Sequence, residues 1–275
     1  MNASSAKSRV LSEMVSAFLV GPHKVTQLAR GGGIVVAAVL ITGANRGIGL
    51  ALARQYAADG AEVIVCCRDP ARAGVLKELA ASSGGRVRIL PLDVADETSI
   101  SSLKNALGDQ SIDILISNAG IVGPEDQSAD RIDAEGWMAT LRVNALAPML
   151  IALALRENLK RGSEKKLVAI SSGLGSTGRE PRSALNPIRY AYCASKAALN
   201  NGMRALSRDW AADGVLVAIL APGYVRTDMG GSVAVAHPTS ISPEESASAL
   251  IQRIARLTPA TSGAFQDYRG DTIAW

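Results

Sequence analysis

The chain has 275 residues, 48% of them apolar, and a formal net charge of +4; that is length for one large domain or two small ones, with apolar material for a sizeable core. No run of about 18 uncharged apolar residues occurs, which argues against a membrane span, and no basic stripe interleaved with aromatics argues for nucleic acid. Three cysteines without metal or C-x-x-C spacing (Cys66, Cys67, Cys193) and two histidines (His23, His237) leave little material for a metal site or a His-centred triad.

The N-terminal segment carries much of the charge. Among its first 35 residues, Lys7, Arg9, Lys24 and Arg30 oppose only Glu13. A basic, Ser/Ala-rich composition resembles an organellar targeting peptide. A disordered extension, or a translation start placed too far upstream, gives the same pattern. Gly31, Gly32 and Gly33 form a hinge, so residues 1–33 read as an extension before one domain at 34–275. Reduced cysteines fit a cytoplasmic protein, or an organellar one if residues 1–33 are a targeting peptide.

Residues 34–42 are a continuous apolar run, as expected of a strand buried on both faces. A helical pattern at 48–59 stops at Gly60. A strand is expected at 62–67, a helix at 71–82, a strand at 86–92, a helix at 97–107 and a strand at 112–117. Residues 129–160 carry one long helical pattern, and a fifth strand follows at 166–171. A helix at 190–213 is stopped by Gly214, and a sixth strand at 215–220 by Pro222-Gly223. Ser242, Pro243 and Glu245 have capping-box chemistry and open a helix to about residue 257. A short last strand falls near 264–268. The alternation predicts an α/β fold: a single-domain, doubly wound parallel sheet, Rossmann-like, of about seven strands with helices on both faces.

Thr42-Gly43-Ala44-Asn45-Arg46-Gly47-Ile48-Gly49 lies between the first strand and the first helix. A helix N-terminus presents unpaired N–H groups and partial positive charge. Gly43, Gly47 and Gly49 remove side chains that would keep a pyrophosphate away. The second strand ends at Cys67-Arg68, where an acid would bind a ribose 2′-hydroxyl. Arg68 and Arg46 instead suit a 2′-phosphate, favouring NADP(H) over NAD(H). Asp69 weakens that preference, because it could neutralise Arg68.

Tyr192 and Lys196 lie four apart on a predicted helix and share a face. A tyrosine holds its proton too tightly, with a pKa near 10, for reversible transfer near neutral pH. A neighbouring ammonium is expected to lower that value and make Tyr192 a usable proton donor or acceptor. Tyr190 is six residues from Lys196, on another face.

With these motifs in order, the chain resembles the short-chain dehydrogenase/reductase family from about residue 36 onward, in particular the C-factor and sniffer-type carbonyl reductases. Thr42 to Gly49 matches that family's cofactor motif, including Asn45 and Ile48. Asn118-Ala119-Gly120 matches its N-A-G motif, with Ser117 in place of a frequent asparagine. Asp93 before Val94 matches the acid that contacts adenine. Pro222, Gly223, Val225 and Thr227 match the segment flanking the nicotinamide. The resemblance implies that Ser172, or alternatively Ser171, holds the substrate oxygen. It further implies that Lys196 holds the nicotinamide ribose and that Asn144 binds a water linking Lys196 to solvent.

Tyr192 lies 20 positions beyond Ser172, longer than is usual in that family. Residues 176–189 could therefore border the substrate entrance, or alter the helix faces by which family members form homodimers or homotetramers. Residues 228–242 are expected to be a short, flexible lid over an open pocket. The expected function is NADP(H)-dependent reduction of a small aldehyde or ketone. A dinucleotide-binding redox sensor with little turnover is the alternative.

Overall fold

The computed structural model describes residues 26–28, 34–125, 127, 130–178 and 189–275. Expectations for residues 1–25, 29–33 and 179–188, and for the helix start at Ala129, fall outside the described residues.

The strands are β1 (Thr26–Leu28), β2 (Ile34–Val36), β3 (Ala38–Thr42), β4 (Glu62–Cys67), β5 (Val87–Pro91), β6 (Ile114–Ser117), β7 (Lys166–Ile170), β8 (Leu216–Ala221) and β9 (Phe265–Asp267). The main sheet has seven strands in the order β5-β4-β3-β6-β7-β8-β9, every pair parallel. Strand order reverses between β3 and β6, and in such sheets ligands sit at the carboxyl ends beside that reversal.

The helices are α1 (Gly47–Ala58), α2 (Gly74–Ser82), α3 (Glu97–Leu107), α4 (Ala134–Leu141), α5 (Ala147–Ala154), α6 (Arg156–Arg161), α7 (Tyr190–Asp209), α8 (Gly231–Ala236) and α9 (Pro243–Ala255). Successive side chains of a strand point to opposite faces, and the core divides accordingly. Leu40 and Leu115 pack with Leu103, Ile151, Leu199 and Met203 on one face. Val39, Ile41 and Ile116 pack with Leu52, Leu76, Leu250 and Ile254 on the other. All five residues of β3 are buried, as the apolar run predicts.

Two expected elements differ. The run at 34–42 is two strands. β2 turns away to pair antiparallel with β1, and Ala38 opens the main-sheet strand. Buried Asp113 is the physical reason: its Oδ2 accepts the Ala38 N–H at 2.8 Å, while Oδ1 takes the N–H and hydroxyl of Ser163. Long-range pairing therefore resets the strand where the local pattern shows no break.

The long helix expected at 129–160 is also interrupted. Arg142–Leu146 forms a π turn between α4 and α5, and Leu155 separates α5 from α6. Pro148 explains the first break. It has no N–H to give the carbonyl four residues earlier, at Asn144, and the widened turn closes with the Ala147 N–H on Arg142 O. Residues 134–154 are long and apolar enough to cross a membrane by composition alone. Here Ile151 and Ala152 belong to the sheet core and Asn144 reaches α7.

Candidate active site

β3 ends in a turn that the chain itself fastens to the end of β6. Thr42 Oγ1 accepts the N–H groups of Asn118 and Ala119 at 3.0 and 3.1 Å. Asn118 Nδ2 donates back to the carbonyls of Thr42 and Gly43, both at 3.0 Å. A Cβ on Gly43 would lie 2.8 Å from Ala119 Cα, and one on Gly49 2.5 Å from Gly43 O. Gly43 and Gly47 also have φ of +64° and +56°, where side chains are strained. Gly43 and Gly49 are thus required by the packing of two strand ends, a reason other than room for a phosphate. Gly47 faces Thr227 across the cleft.

The first turn of α1 has no side-chain cap. Asn45 and Arg46 are exposed beside its N–H groups, a donor set suited to a pyrophosphate. Ile48 packs back onto the core. Arg68 is exposed at the end of β4. The Asp69 carboxylate is used locally, accepting the N–H groups of Ala71 and Arg72 to cap the following turn, so the anticipated use of that acid against Arg68 is not its hydrogen-bonded role here. Arg46 instead pairs with Asp228 at 3.0 Å, across the cleft from the glycine turn. Asp93 lies after β5, with Oδ1 accepting the Ala95 N–H at 3.0 Å, and Val94 is partly buried against the core.

The π turn sends the Asn144 side chain to the segment that follows β6. Its Oδ1 accepts the Ile121 N–H and its Nδ2 donates to Ile121 O, both at 2.8 Å; Nδ2 also reaches Ser195 Oγ at 3.0 Å. Gly120 lies between Asn144 and Lys196: a Cβ there would be 3.1 Å from Asn144 Oδ1 and 3.8 Å from Lys196 Nζ.

α7 buries a stripe at Ala191, Ser195, Lys196, Leu199, Asn200 and Met203. Its first turn is held by Gln127, whose Oε1 accepts the Ala191 N–H at 2.7 Å. Tyr192 and Lys196 face together, with Nζ 5.8 Å from the ring centroid. Lys196 is 5% exposed and donates to Ile170 O at 2.9 Å. Burial pushes its ammonium down to about 8. Tyr192 keeps partial solvent access, as a proton donor must.

The phenol departs from expectation. Desolvation by burial raises the Tyr192 pKa, opposed by a hydrogen bond with Ser172 and by the Arg189 charge. The predicted lowering by Lys196 is corrected: the ammonium lies beside the ring and is itself destabilised by burial. The phenol is therefore held in its protonated form.

The two serines after β7 separate. Ser171 is buried and its hydroxyl donates to Asn200 Oδ1 at 2.5 Å. Ser172 faces Tyr192, and its Oγ accepts the Leu174 N–H.

Pro222 O accepts the Ser246 hydroxyl, and Gly223 lies against Tyr268. Val225 is buried and bridges Ile241, while Thr227 Oγ1 accepts the Gly230 N–H. The segment expected to be a flexible lid contains α8 and is pinned at its base. Tyr224 stacks on His237 with ring centroids 3.6 Å apart, and Ile241 N–H donates to Tyr224 O. The capping box of α9 forms as read, with Glu245 on the Ser242 N–H at 2.7 Å.

Sequence reasoning had not assigned roles to the side chains of Thr42, Gln127, Ser195, Asn200 or Asp228. Each acts through a partner far along the chain; only Thr42 had a signal, standing inside the glycine-rich motif.

A doubly wound parallel sheet with this cleft at its strand-order reversal is a Rossmann-like α/β domain. The model of the short chain dehydrogenase family matches residues 37–237, and the chain belongs to the short-chain dehydrogenase/reductase family. It is similar to the NADPH-bound carbonyl reductase from chicken fatty liver, 31% identical with a TM-score of 0.77, over 87% of this chain and 99% of that one. The carbonyl reductase Sniffer of D. melanogaster is 28% identical with a TM-score of 0.74, over 88% and 100%. The C-signal protein of Myxococcus xanthus is 33% identical over 60% of this chain and 93% of its own length.

Proposed function

We propose that the protein is an NADP(H)-dependent oxidoreductase that reduces a small aldehyde or ketone to an alcohol, reversibly. The observation that carries this is the trio at the carboxyl end of the sheet: Tyr192 with Ser172 beside it and the Lys196 Nζ 5.8 Å from its ring centroid. Support comes from the NADPH-bound carbonyl reductase of the same fold.

NADP(H), when bound, supplies the hydride. The first-turn N–H groups of α1 and the glycine-rich turn would hold its pyrophosphate, Arg46 and Arg68 its 2′-phosphate, and Asp93 its adenine. Asn118, Ala119 and Gly120 would lie beside it. Pro222, Gly223, Val225 and Thr227 would flank the nicotinamide. The chain's own residues do the rest. Ser172 orients the carbonyl oxygen, and Tyr192 gives it a proton. The phenolate so formed lies close to the Lys196 ammonium, which stabilises it, and Asn144 with Gly120 borders the route by which Lys196 regains a proton. A homodimer or homotetramer is compatible with this chemistry, and a cytoplasmic location with the reduced cysteines.

The second reading is a dinucleotide-binding redox sensor or regulatory protein with little turnover; one relative bears the name C-signal. A complete Ser172, Tyr192 and Lys196 set supports the enzyme, because sensing requires no proton donor. A panel of carbonyl compounds followed by NADPH absorbance, with NADH in parallel, separates them. Replacing Arg46 and Arg68 by Ala should raise the NADPH KM about tenfold or more, the loss of charge-assisted hydrogen bonds, and leave NADH unaffected. Wild-type preference for NADH would overturn the role of the two arginines, and no turnover across the panel would favour the regulator.

A further inference from the structure

The last eleven residues, 265–275, form a hook. β9 runs along β8 and then reverses at Asp267, whose Oδ1 accepts the N–H groups of Arg269, Gly270 and Asp271 at 2.9 to 3.0 Å. The return limb pairs with β9 through the Gln266–Thr272 bridge and the Ile273 N–H on Phe265 O. It then reaches the segment between Ser172 and Tyr192. Ser176 Oγ donates to Ala274 O at 2.6 Å, while Thr177 Oγ1 and the Gly178 N–H donate to Trp275 O. A Cβ on Gly178 would lie 2.8 Å from that oxygen. The Trp275 ring is packed between Phe265, with centroids 5.8 Å apart, and the Arg204 guanidinium of α7, 4.3 Å from its centroid.

Residues 172–175 are fixed from the other side. Ser172 Oγ accepts the Leu174 N–H, and Asn200 Nδ2 donates to Gly175 O. Gly175 lies so close to α7 that a Cβ would be 2.8 Å from the Lys196 carbonyl carbon. One continuous stretch, 172–178, is therefore clamped by α7 at its start and by the hook at its end. The long step to Tyr192 leaves that end no other fastening among the described residues. A carbonyl misplaced by about 1 Å can cost about 100-fold in rate, so the setting of Ser172 against Tyr192 is where such a clamp acts.

We infer that the Phe265–Trp275 hook positions the Ser172 segment for carbonyl reduction, with Trp275 as its positioning residue. This rests on the proposed reductase reading. Trp275→Ala, Trp275→Phe and, exposed on α2 beside the opposite edge of the sheet, Glu78→Ala are compared with the wild type in the full chain. The readouts are carbonyl kcat and KM, NADPH affinity, thermal midpoint and amide hydrogen exchange of residues 172–178. Trp275→Ala should lower carbonyl kcat/KM about 10- to 100-fold and speed exchange at 176–178, with NADPH affinity unchanged. Trp275→Phe, keeping an aromatic face for Phe265 and Arg204, should restore most of the loss, and Glu78→Ala should match the wild type. Wild-type turnover in Trp275→Ala, unchanged exchange at 176–178, or NADPH affinity falling in step with turnover and thermal midpoint would each overturn the inference. A wild type inactive on all carbonyls would overturn the reductase reading instead, while the exchange measurement still decides whether the hook clamps the segment.

Discussion

Replacing Lys196 by Met should make the protein more stable and inactive at once. The ammonium is 5% exposed, its pKa is pushed down to about 8 by burial, and among the described residues it donates to Ile170 O. The unfolded chain holds the same proton with a pKa near 10.4. A depression of that size disfavours the charged folded form by about 3 kcal/mol. Below pH 8 both states are charged and the penalty is complete. As pH rises from about 8 to about 10.5 the folded lysine loses its proton first, stability rises, and the penalty disappears. Methionine of similar length removes the charge but leaves Ile170 O without its donor, which costs about 1 kcal/mol. The net gain at pH 7 is about 2 kcal/mol, or about 4–8 °C in thermal midpoint for a chain of this size. Scanning calorimetry of both proteins without cofactor, from pH 7 to pH 10.5, checks this. The variant's advantage should shrink steadily as pH rises. A Lys196→Met protein less stable than the wild type at pH 7, or a pH-independent difference, would show that the burial penalty has been misjudged. The same variant should lose carbonyl turnover, because the phenolate left on Tyr192 has no cation beside it.

Three further outcomes concern the turns that follow β3 and β7. Gly49→Ala should destabilise the fold by about 1–3 kcal/mol in urea unfolding, because its Cβ would lie 2.5 Å from both Asn118 Nδ2 and Gly43 O, and the second is backbone that cannot swing aside. Ser172→Ala should lower kcat/KM about 100- to 1,000-fold with the thermal midpoint kept. Ser171→Ala should do the reverse: it strands Asn200 Oδ1 in the core at a cost of about 1–3 kcal/mol, and turnover per folded molecule stays near the wild type. Equal loss of activity in the two serine variants would contradict their separation.

What could be seen in the sequence was whatever depends on local spacing. The i,i+4 pairing of Tyr192 and Lys196, the uncapped start of α1 after a glycine-rich turn and the Ser242–Glu245 capping box are all settled within one or two helical turns, and each stands where it was expected. Alternating apolar runs likewise gave a seven-stranded doubly wound sheet. The interrupted helix had a signal, Pro148, whose missing N–H produces the π turn at Asn144. The break between β2 and β3 had none, since Asp113 and its bond to Ala38 come from 75 residues away. The same holds for Arg46 with Asp228 and for the hook on residues 176–178. The direction of the Tyr192 shift was misread for a related reason: spacing shows that an ammonium is near, but only the packed core shows that burial raises the phenol's pKa against Ser172 and Arg189.

The most direct measurement compares Tyr192→Phe with the wild type in single-turnover reduction of a carbonyl substrate, alongside NADPH binding. Loss of the proton donor, with the ring and its packing kept, should slow reduction about 100- to 10,000-fold, or about 3–5 kcal/mol in barrier, while NADPH binds as before. Reduction by the phenylalanine protein at more than about a tenth of the wild-type rate would contradict proton donation by Tyr192.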